Sequence, residues 1–309
     1  MPLPPKNSSS PTRHKSTVAR NIAPPTHAAA LADGGCGRGL PPGAVGSLTA
    51  TAYPTTRPGA RLRDTVLPGG MPTVGVAIIG NEILSGKYAD ENTPWLARRL
   101  RELGADLLRV AVVPDTLGDI AAEVAAQAAR YDVVLTTGGV GPTHDDITFA
   151  GVAQAFAVPL HHHPELVAVL RTRMGDACNA AALRMAEVPE GSTLWWDGGV
   201  RFPTVVCRNV AIFPGVPSLL RLKFDKVAHR FAGTPYGLVR LRTEATESAI
   251  AERLTAAQDR HPTVTIGSYP RLDEVPVHVV LTLESRDAAA LEACAEELVA
   301  AGVGERLPG

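Results

Sequence analysis

The chain has no surplus charge of either sign: across 309 residues, 30 Lys and Arg nearly cancel 31 Asp and Glu, leaving a formal net charge of -1. A nucleic-acid binder would carry a basic excess, so no nucleic-acid partner is expected. Cysteine is scarce. Cys36, Cys178, Cys207 and Cys294 lie far apart with no C-x-x-C pair, which excludes a disulfide scaffold or a zinc ribbon. They fit reduced, mostly buried thiols in a cytoplasmic protein. Long apolar runs are missing too. The uncharged stretch between Arg38 and Arg57 is full of Pro, Gly, Ser and Thr and could not cross a bilayer, so no membrane partner is expected. What remains is a chain that is 45% hydrophobic, enough for one large or two modest domains with cores of their own.

Composition shifts near residue 70. Residues 1–70 contain Ser8-Ser9-Ser10 and Pro41-Pro42-Gly43 but no sustained apolar periodicity, and two acids, Asp33 and Asp64, face eight Lys and Arg. Such a segment cannot bury enough apolar surface to offset its ordering entropy, so 1–70 is expected to be a disordered extension. An acid-poor leader with Arg and Ser could be a transit peptide, but its many prolines and lack of an amphipathic pattern argue against that. The plain reading makes Met71 the true start, preceded by an over-extended reading frame or a tail.

From Met71 the pattern is regular. Val74 to Ile79 reads as a strand buried on both faces. Leu96, Leu100 and Leu103 share a helical stripe stopped by Gly104. Leu107 to Val113 is a second strand, and Thr116-x-x-Asp119 caps a helix with Ile120, Val124 and Ala128 on one face. A strand at Val133–Leu135, a Gly-rich turn and a helix with Phe149, Val152, Ala153 and Phe156 as its buried stripe come next. A strand at Val210–Phe213 then leads through Pro214-Gly215-Val216-Pro217 into a helix reaching about residue 230. This alternation predicts an α/β fold, a three-layer αβα sandwich with a mostly parallel sheet over 71–235. Residues 236–305 read as strand, helix, two strands and a final helix with Leu291, Ala295 and Leu298. That is a small α+β domain with one face of its sheet covered.

Ligands of an open parallel sheet sit at the carboxyl ends of its strands, and three turns there carry more chemistry than a connector needs. Thr136-Thr137-Gly138-Gly139-Val140-Gly141-Pro142-Thr143-His144-Asp145-Asp146 is the most specific. Gly138, Gly139 and Gly141 let main-chain amides approach an anion, and Thr137 and Thr143 offer hydroxyls to phosphate. Asp145 and Asp146 would repel a phosphate unless a hard cation lay between, so a Mg²⁺-like ion is the corollary. The alternative is that the two acids only cap the next helix. The second turn, Gly80-Asn81-Glu82-Ile83-Leu84-Ser85-Gly86, puts Glu82 at the mouth of the sheet beside the neutral Asn81 and Ser85. Asp90, Asn92 and Thr93 follow, and locally Asn92 reads as an N-cap. The third, Pro214-Gly215-Val216-Pro217-Ser218, presents amides at Gly215 and Ser218, and also serves as a stiff connector. His161-His162-His163 is read as a polar run rather than a metal site. Trp195-Trp196 is read as packing in a hairpin.

The Gly80–Gly86 turn, Asp90-x-Asn92-Thr93, the Thr137–Asp146 loop with Thr148, and Phe213-Pro214-Gly215-Val216-Pro217 occur in order at compatible spacings. Together they resemble the molybdopterin-binding (MoaB/Mog-like) domain shared with the competence- and damage-inducible, CinA-like proteins. The branch fused to eukaryotic FAD synthases and found alone in many bacteria is especially similar, and Ile266-Gly267-Ser268-Tyr269-Pro270 extends the resemblance into the C-terminal region. The resemblance implies binding of a phosphorylated pterin or adenine dinucleotide, with metal-dependent (Mg²⁺ or Co²⁺) hydrolysis of the pyrophosphate of an FAD or ADP-ribose type substrate. Alternatives are a non-catalytic pterin or nucleotide-binding module, or a molybdenum-cofactor adenylyltransferase. Carried over by position, Asp145 and Asp146 become the metal or phosphate-orienting pair, with Glu82 near the substrate. Gly138, Gly139 and Gly141 become the anion cradle, with Asn92 near the substrate. The loop lacks the arginine typical of pterin adenylylation, which weakens that alternative. No counterpart of the nicotinamide-nucleotide deamidase or FAD-forming domains is visible, so neither activity is expected. The expected assembly is a homo-oligomer.

Overall fold

The computed structural model describes residues 71–308; the expectations for residues 1–70 lie outside the described residues. The chain runs β1 (Thr73–Ile79), α1 (Asn81–Leu84), α2 (Asn92–Glu102), β2 (Asp106–Val113), α3 (Leu117–Ala128), β3 (Val133–Thr137) and α4 (Thr148–Ala155). It continues through β4 (Leu160–His162), α5 (Pro164–Met174), α6 (Ala180–Arg184), β5 (Glu187–Pro189), β6 (Thr193–Trp195), β7 (Thr204–Cys207), β8 (Val210–Phe213) and α7 (Pro217–Val227). The last third is β9 (Gly237–Thr243), α8 (Glu247–Arg260), β10 (Thr265–Arg271), β11 (His278–Ser285), α9 (Ala288–Ala300) and β12 (Glu305–Arg306). Among the described residues no helix is long and apolar enough to cross a membrane.

Six strands form one sheet in the order β2-β1-β3-β8-β7-β6. β1 pairs in parallel with both β2 and β3, and β3 with β8. Period-two alternation along β1 sends Val74, Val76 and Ile78 to one core and Ala77 and Ile79 to the other. The first core packs against Leu96 and Leu100 of α2 and Leu220 and Phe224 of α7. The second packs against Ile120 and Val124 of α3, Val152 of α4 and Leu166 of α5. Helices therefore cover both faces: this is an α/β fold of three layers.

The mostly parallel sheet holds, with one detail added, and one expectation changes. β7 and β6 are antiparallel to their neighbours, so the sheet is parallel on one side and ends in a hairpin extension. Trp195 ends β6 in that extension and is buried beside Phe231, with ring centroids 6.0 Å apart; the chain then takes a long loop to β7. Of the stripe foreseen on α4, Val152 and Ala153 are buried, but Phe149 and Phe156 are only half-buried. The Thr116 cap holds: its hydroxyl accepts the Asp119 amide at 3.4 Å.

A separate four-stranded antiparallel sheet, β10-β11-β9-β12, follows. α8 and α9 cover one face with Ile250, Ala257, Leu291 and Leu298 packed on Leu241, Leu281 and Leu283. Tyr236 joins this region to the first sheet. Its hydroxyl donates to Asp106 at 2.9 Å, and its ring lies under the guanidinium groups of Arg101 (3.2 Å to the centroid) and Arg286 (3.8 Å). Arg286 also donates to Asp106 at 3.0 Å, and Arg101 pairs with Glu284.

Candidate functional site

One side chain ties the start of α2 to two of the three turns. Asn92 opens α2, but its carboxamide does not cap the helix; the Asp90 carboxylate does that work, accepting the amides of Asn92 and Thr93 at 2.9 Å each. This corrects the local N-cap reading. The Asn92 side chain is instead buried, and its Nδ2 donates to Thr137 Oγ1 at 3.0 Å and to the Gly215 carbonyl at 2.7 Å. Thr137 Oγ1 in turn donates to the Pro214 carbonyl at 3.1 Å. The Thr137 hydroxyl thus fastens the turns together, rather than standing free for a phosphate. Asn92 Oδ1 is buried with no hydrogen-bond partner among the described residues, an unmet acceptor at a cavity wall.

Around this knot lies a cavity of about 500 Å³, lined among others by Glu82, Asp90, Asn92, Thr137, Asp145 and Gly215. Ile78, Ile83, Tyr88 and Val216 complete its apolar side. Ile83 and Val216 belong to the candidate turns, whereas Ile78 and Tyr88 were not foreseen; Tyr88 carries no motif signal at all. Asn81, Gly138, Gly139, Gly141, Thr143, Asp146 and Ser218 are not among the residues that line the cavity. Asn81 is exposed and its amide is held by Asp115 at 2.7 Å. Asp115 sits just past the end of β2, where the strand-end rule could have flagged it.

The Gly-rich turn divides its labour in a way the sequence did not suggest. The Gly138 amide donates to the Phe213 carbonyl at 3.2 Å, so it is unavailable to an anion. Gly138 is needed for space: it sits at φ +106°, and a Cβ there would fall 2.0 Å from the Ile79 carbonyl oxygen. Gly215 passes so close that a Cβ would lie 3.1 Å from Gly138 Cα. The amides of Gly139, Val140 and Gly141 make no hydrogen bond among the described residues, and are the ones left to meet an anion. α4 starts only at Thr148, which was not among the candidate residues; its buried hydroxyl donates to the Gly138 carbonyl at 2.8 Å and its amide to the Gly139 carbonyl at 3.0 Å.

Neither Asp145 nor Asp146 caps α4, whose N-cap is Ile147. Asp146 braces the turn, its Oδ2 accepting the Thr143 amide at 2.8 Å and the Thr143 hydroxyl. Asp145 lines the cavity, and its carboxyl is held below the ordinary range chiefly by the Thr143 hydroxyl at 2.5 Å. The two neighbours thus differ: one acid faces the cavity wall and the other locks the bend. Among the described residues no group of three or more His, Cys, Asp or Glu converges as a metal site. His161, His162 and His163 fall at β4, where His162 lies 3.4 Å from Glu187.

Residues 75–233 match the family model described as "probable molybdopterin binding domain", and residues 236–305 match "FAD synthase, middle domain". A protein of Archaeoglobus fulgidus is 34% identical over 209 residues, covering 68% of this chain and 89% of that protein. A probable FAD synthase of Caenorhabditis briggsae is 32% identical over 260 residues, covering 73% of this chain. The chain spans about half of that protein's length, 49%. A CinA-like protein of Mycobacterium sp. (strain MCS) is 35% identical over 199 residues, covering 60% of this chain and 44% of that protein. Among solved structures, CinA from Thermoplasma acidophilum is 26% identical with a TM-score of 0.49, covering 52% of this chain and 98% of its own. With a family model over more than half its length, the chain belongs to the probable molybdopterin binding domain family.

Proposed function

We propose that the chain binds a phosphorylated adenine dinucleotide or pterin at the 500 Å³ cavity and hydrolyses the pyrophosphate of an FAD or ADP-ribose type ligand in the presence of a divalent metal. The observation that carries the reading is the Asn92 knot, which ties the start of α2 to Thr137 and Gly215 in the wall of a cavity that Glu82 and Asp145 also line; the Gly139–Gly141 amides follow Thr137 in the chain. The unpaired amides suit the equatorial oxygens of a diphosphate. The metal fits the donor set in the manner of Mg²⁺, which takes one or two carboxylates and completes its shell with water and phosphate. Asp145, kept ionised by Thr143, would hold it, and the bound cation would neutralise charge on the anhydride. Glu82 would take a proton from the attacking water. The water oxygen bonds to one phosphorus, the bridging P–O bond breaks, and two monophosphates leave. Asp146 supports this indirectly by fixing the bend that carries Asp145.

The test is incubation of the full chain with FAD, ADP-ribose and a molybdopterin precursor, with and without Mg²⁺ or Co²⁺. AMP release that requires metal and falls by at least about tenfold in Asp145→Asn is the expected result. Equal turnover in excess EDTA defeats the metal mechanism. Tight binding without product under every metal supports the non-catalytic module. Transfer of AMP to the pterin precursor would support the adenylyltransferase alternative.

A further inference from the structure

A second cavity, of about 430 Å³, adjoins the same two turns, with Val140 and Pro214 in its wall. Its character is the opposite of the first. Apolar side chains such as Phe149, Phe202 and Leu222 line it, and its charged residues are Arg201, Lys223 and Lys226. No carboxylate lines it. The loop between β6 and β7 forms one side and is tied at both ends. Asp197 accepts two hydrogen bonds from Arg230 at 3.1 and 3.2 Å, and Lys223 Nζ donates to the Pro203 carbonyl at 2.7 Å.

Lys223 is the informative residue. Its ammonium has three donors and spends one on Pro203. No other hydrogen-bond partner for it exists among the described residues. Burial alone pushes it down to about 8, as a cation stranded in an apolar place should be. Its Nζ lies 5.3 Å from the centre of the Phe202 ring. A hydrocarbon guest would leave the ammonium desolvated with two of its three donors unused, which is costly. A guest with an acceptor at one edge and aromatic faces would satisfy both the ammonium and the rings. The volume lies within the range of small-ligand sites.

We infer that this second cavity holds a planar fused-ring heteroaromatic group, with a ring nitrogen or keto oxygen accepting from Lys223, as one end of the ligand whose phosphates lie on the Gly139–Gly141 turn. The inference rests on the proposed function for that phosphate position. The two cavities then hold the two arms of one ligand: a ring on the apolar, basic side and the metal-binding end on the acidic side.

Riboflavin carries such a ring and no phosphate, so it probes this cavity without the other. Titrating the full chain into riboflavin in EDTA should quench its fluorescence saturably. Lys223→Met should weaken binding about tenfold, the weight of one hydrogen bond to a charged group. Leu222→Asp, at a rim position 58% exposed and so tolerant of the change, should weaken it at least as much. Absent quenching, or quenching indifferent to both Lys223→Met and Leu222→Asp, overturns the inference. So does an oligomer that dissociates in Leu222→Asp while riboflavin never binds, since a second copy would then fill the cavity. Metal-dependent FAD cleavage without riboflavin binding would sink this inference alone; riboflavin binding without FAD cleavage would sink only the hydrolytic reading.

Discussion

Asn92 shows how much a single residue can decide. Its carboxamide supplies the donors for the buried Thr137 Oγ1 and the half-buried Gly215 carbonyl. Asn92→Ala would remove both hydrogen bonds and leave a half-buried carbonyl without this partner. A loss of about 2–3 kcal/mol in unfolding free energy follows from the ordinary cost of such deletions, to be read by urea denaturation. Asn92→Asp should be worse at neutral pH, because a carboxylate would face the Gly215 carbonyl oxygen. If Asn92→Ala unfolds like the parent chain, the knot is not what holds the turns. Asp145 and Asp146 teach the same lesson from the other side. They are adjacent and chemically alike, yet one lines the cavity and the other hydrogen-bonds within its own turn.

At the scale of elements, the Gly-rich turn is a problem of space before it is one of chemistry. Gly138→Ala would drive a Cβ to 2.0 Å from the Ile79 carbonyl oxygen, at a φ of +106° that L-residues avoid. A penalty of about 3 kcal/mol or more is expected, since backbone must move. Gly118 is the control: it lies in the first turn of α3 with nothing within 4 Å of its added Cβ. Gly118→Ala should raise stability by about 0.5–1 kcal/mol, because alanine is the better helix former. Thermal denaturation of the two variants should therefore move in opposite directions. These elements also show where the sequence was legible. β1, α3 and β8 announced themselves because long apolar periods and a Thr116 cap are local signals. β5, β6 and β7, three or four residues each, are too short to show a period. β7 turns directly into β8 and pairs with β6 across one loop, but the β7–β8 turn carries no Asn-Gly or Asp-Gly signal that would mark a hairpin. The candidate turns were legible from their glycines and acids. The role of Asn92 and the Lys223 cavity were not, because they depend on contacts spanning tens of residues; the divergence of Asp145 from Asp146 is local, but it is set by how the bend turns each carboxylate and not by residue type.

Across the whole molecule, the two sheets are coupled through Tyr236. Its ring lies between Arg101 of α2 and Arg286 of the β11–α9 connection, while its hydroxyl reaches Asp106 at the start of β2. Burial, followed by the bond to Asp106, raises the phenol above its ordinary range, so it stays a donor at neutral pH. Two cation–π contacts and one hydrogen bond to a carboxylate suggest that Tyr236→Ala costs about 2 kcal/mol, and that Tyr236→Phe, which keeps the ring, costs about half of that. Differential scanning calorimetry can check this. In Tyr236→Ala, melting of the two regions should separate; a single unshifted transition would show that the junction adds nothing to their coupling.

The Asn92 bridge has a mechanical corollary. Three loops pinned by one carboxamide cannot drift independently, so a ligand that tugs on the glycine bend also strains the start of α2 and the Pro214–Pro217 corner. Such a site behaves as a clasp rather than as three fingers. Its rigidity is inherited by every variant that retains the asparagine, and it comes undone in one movement when that residue goes.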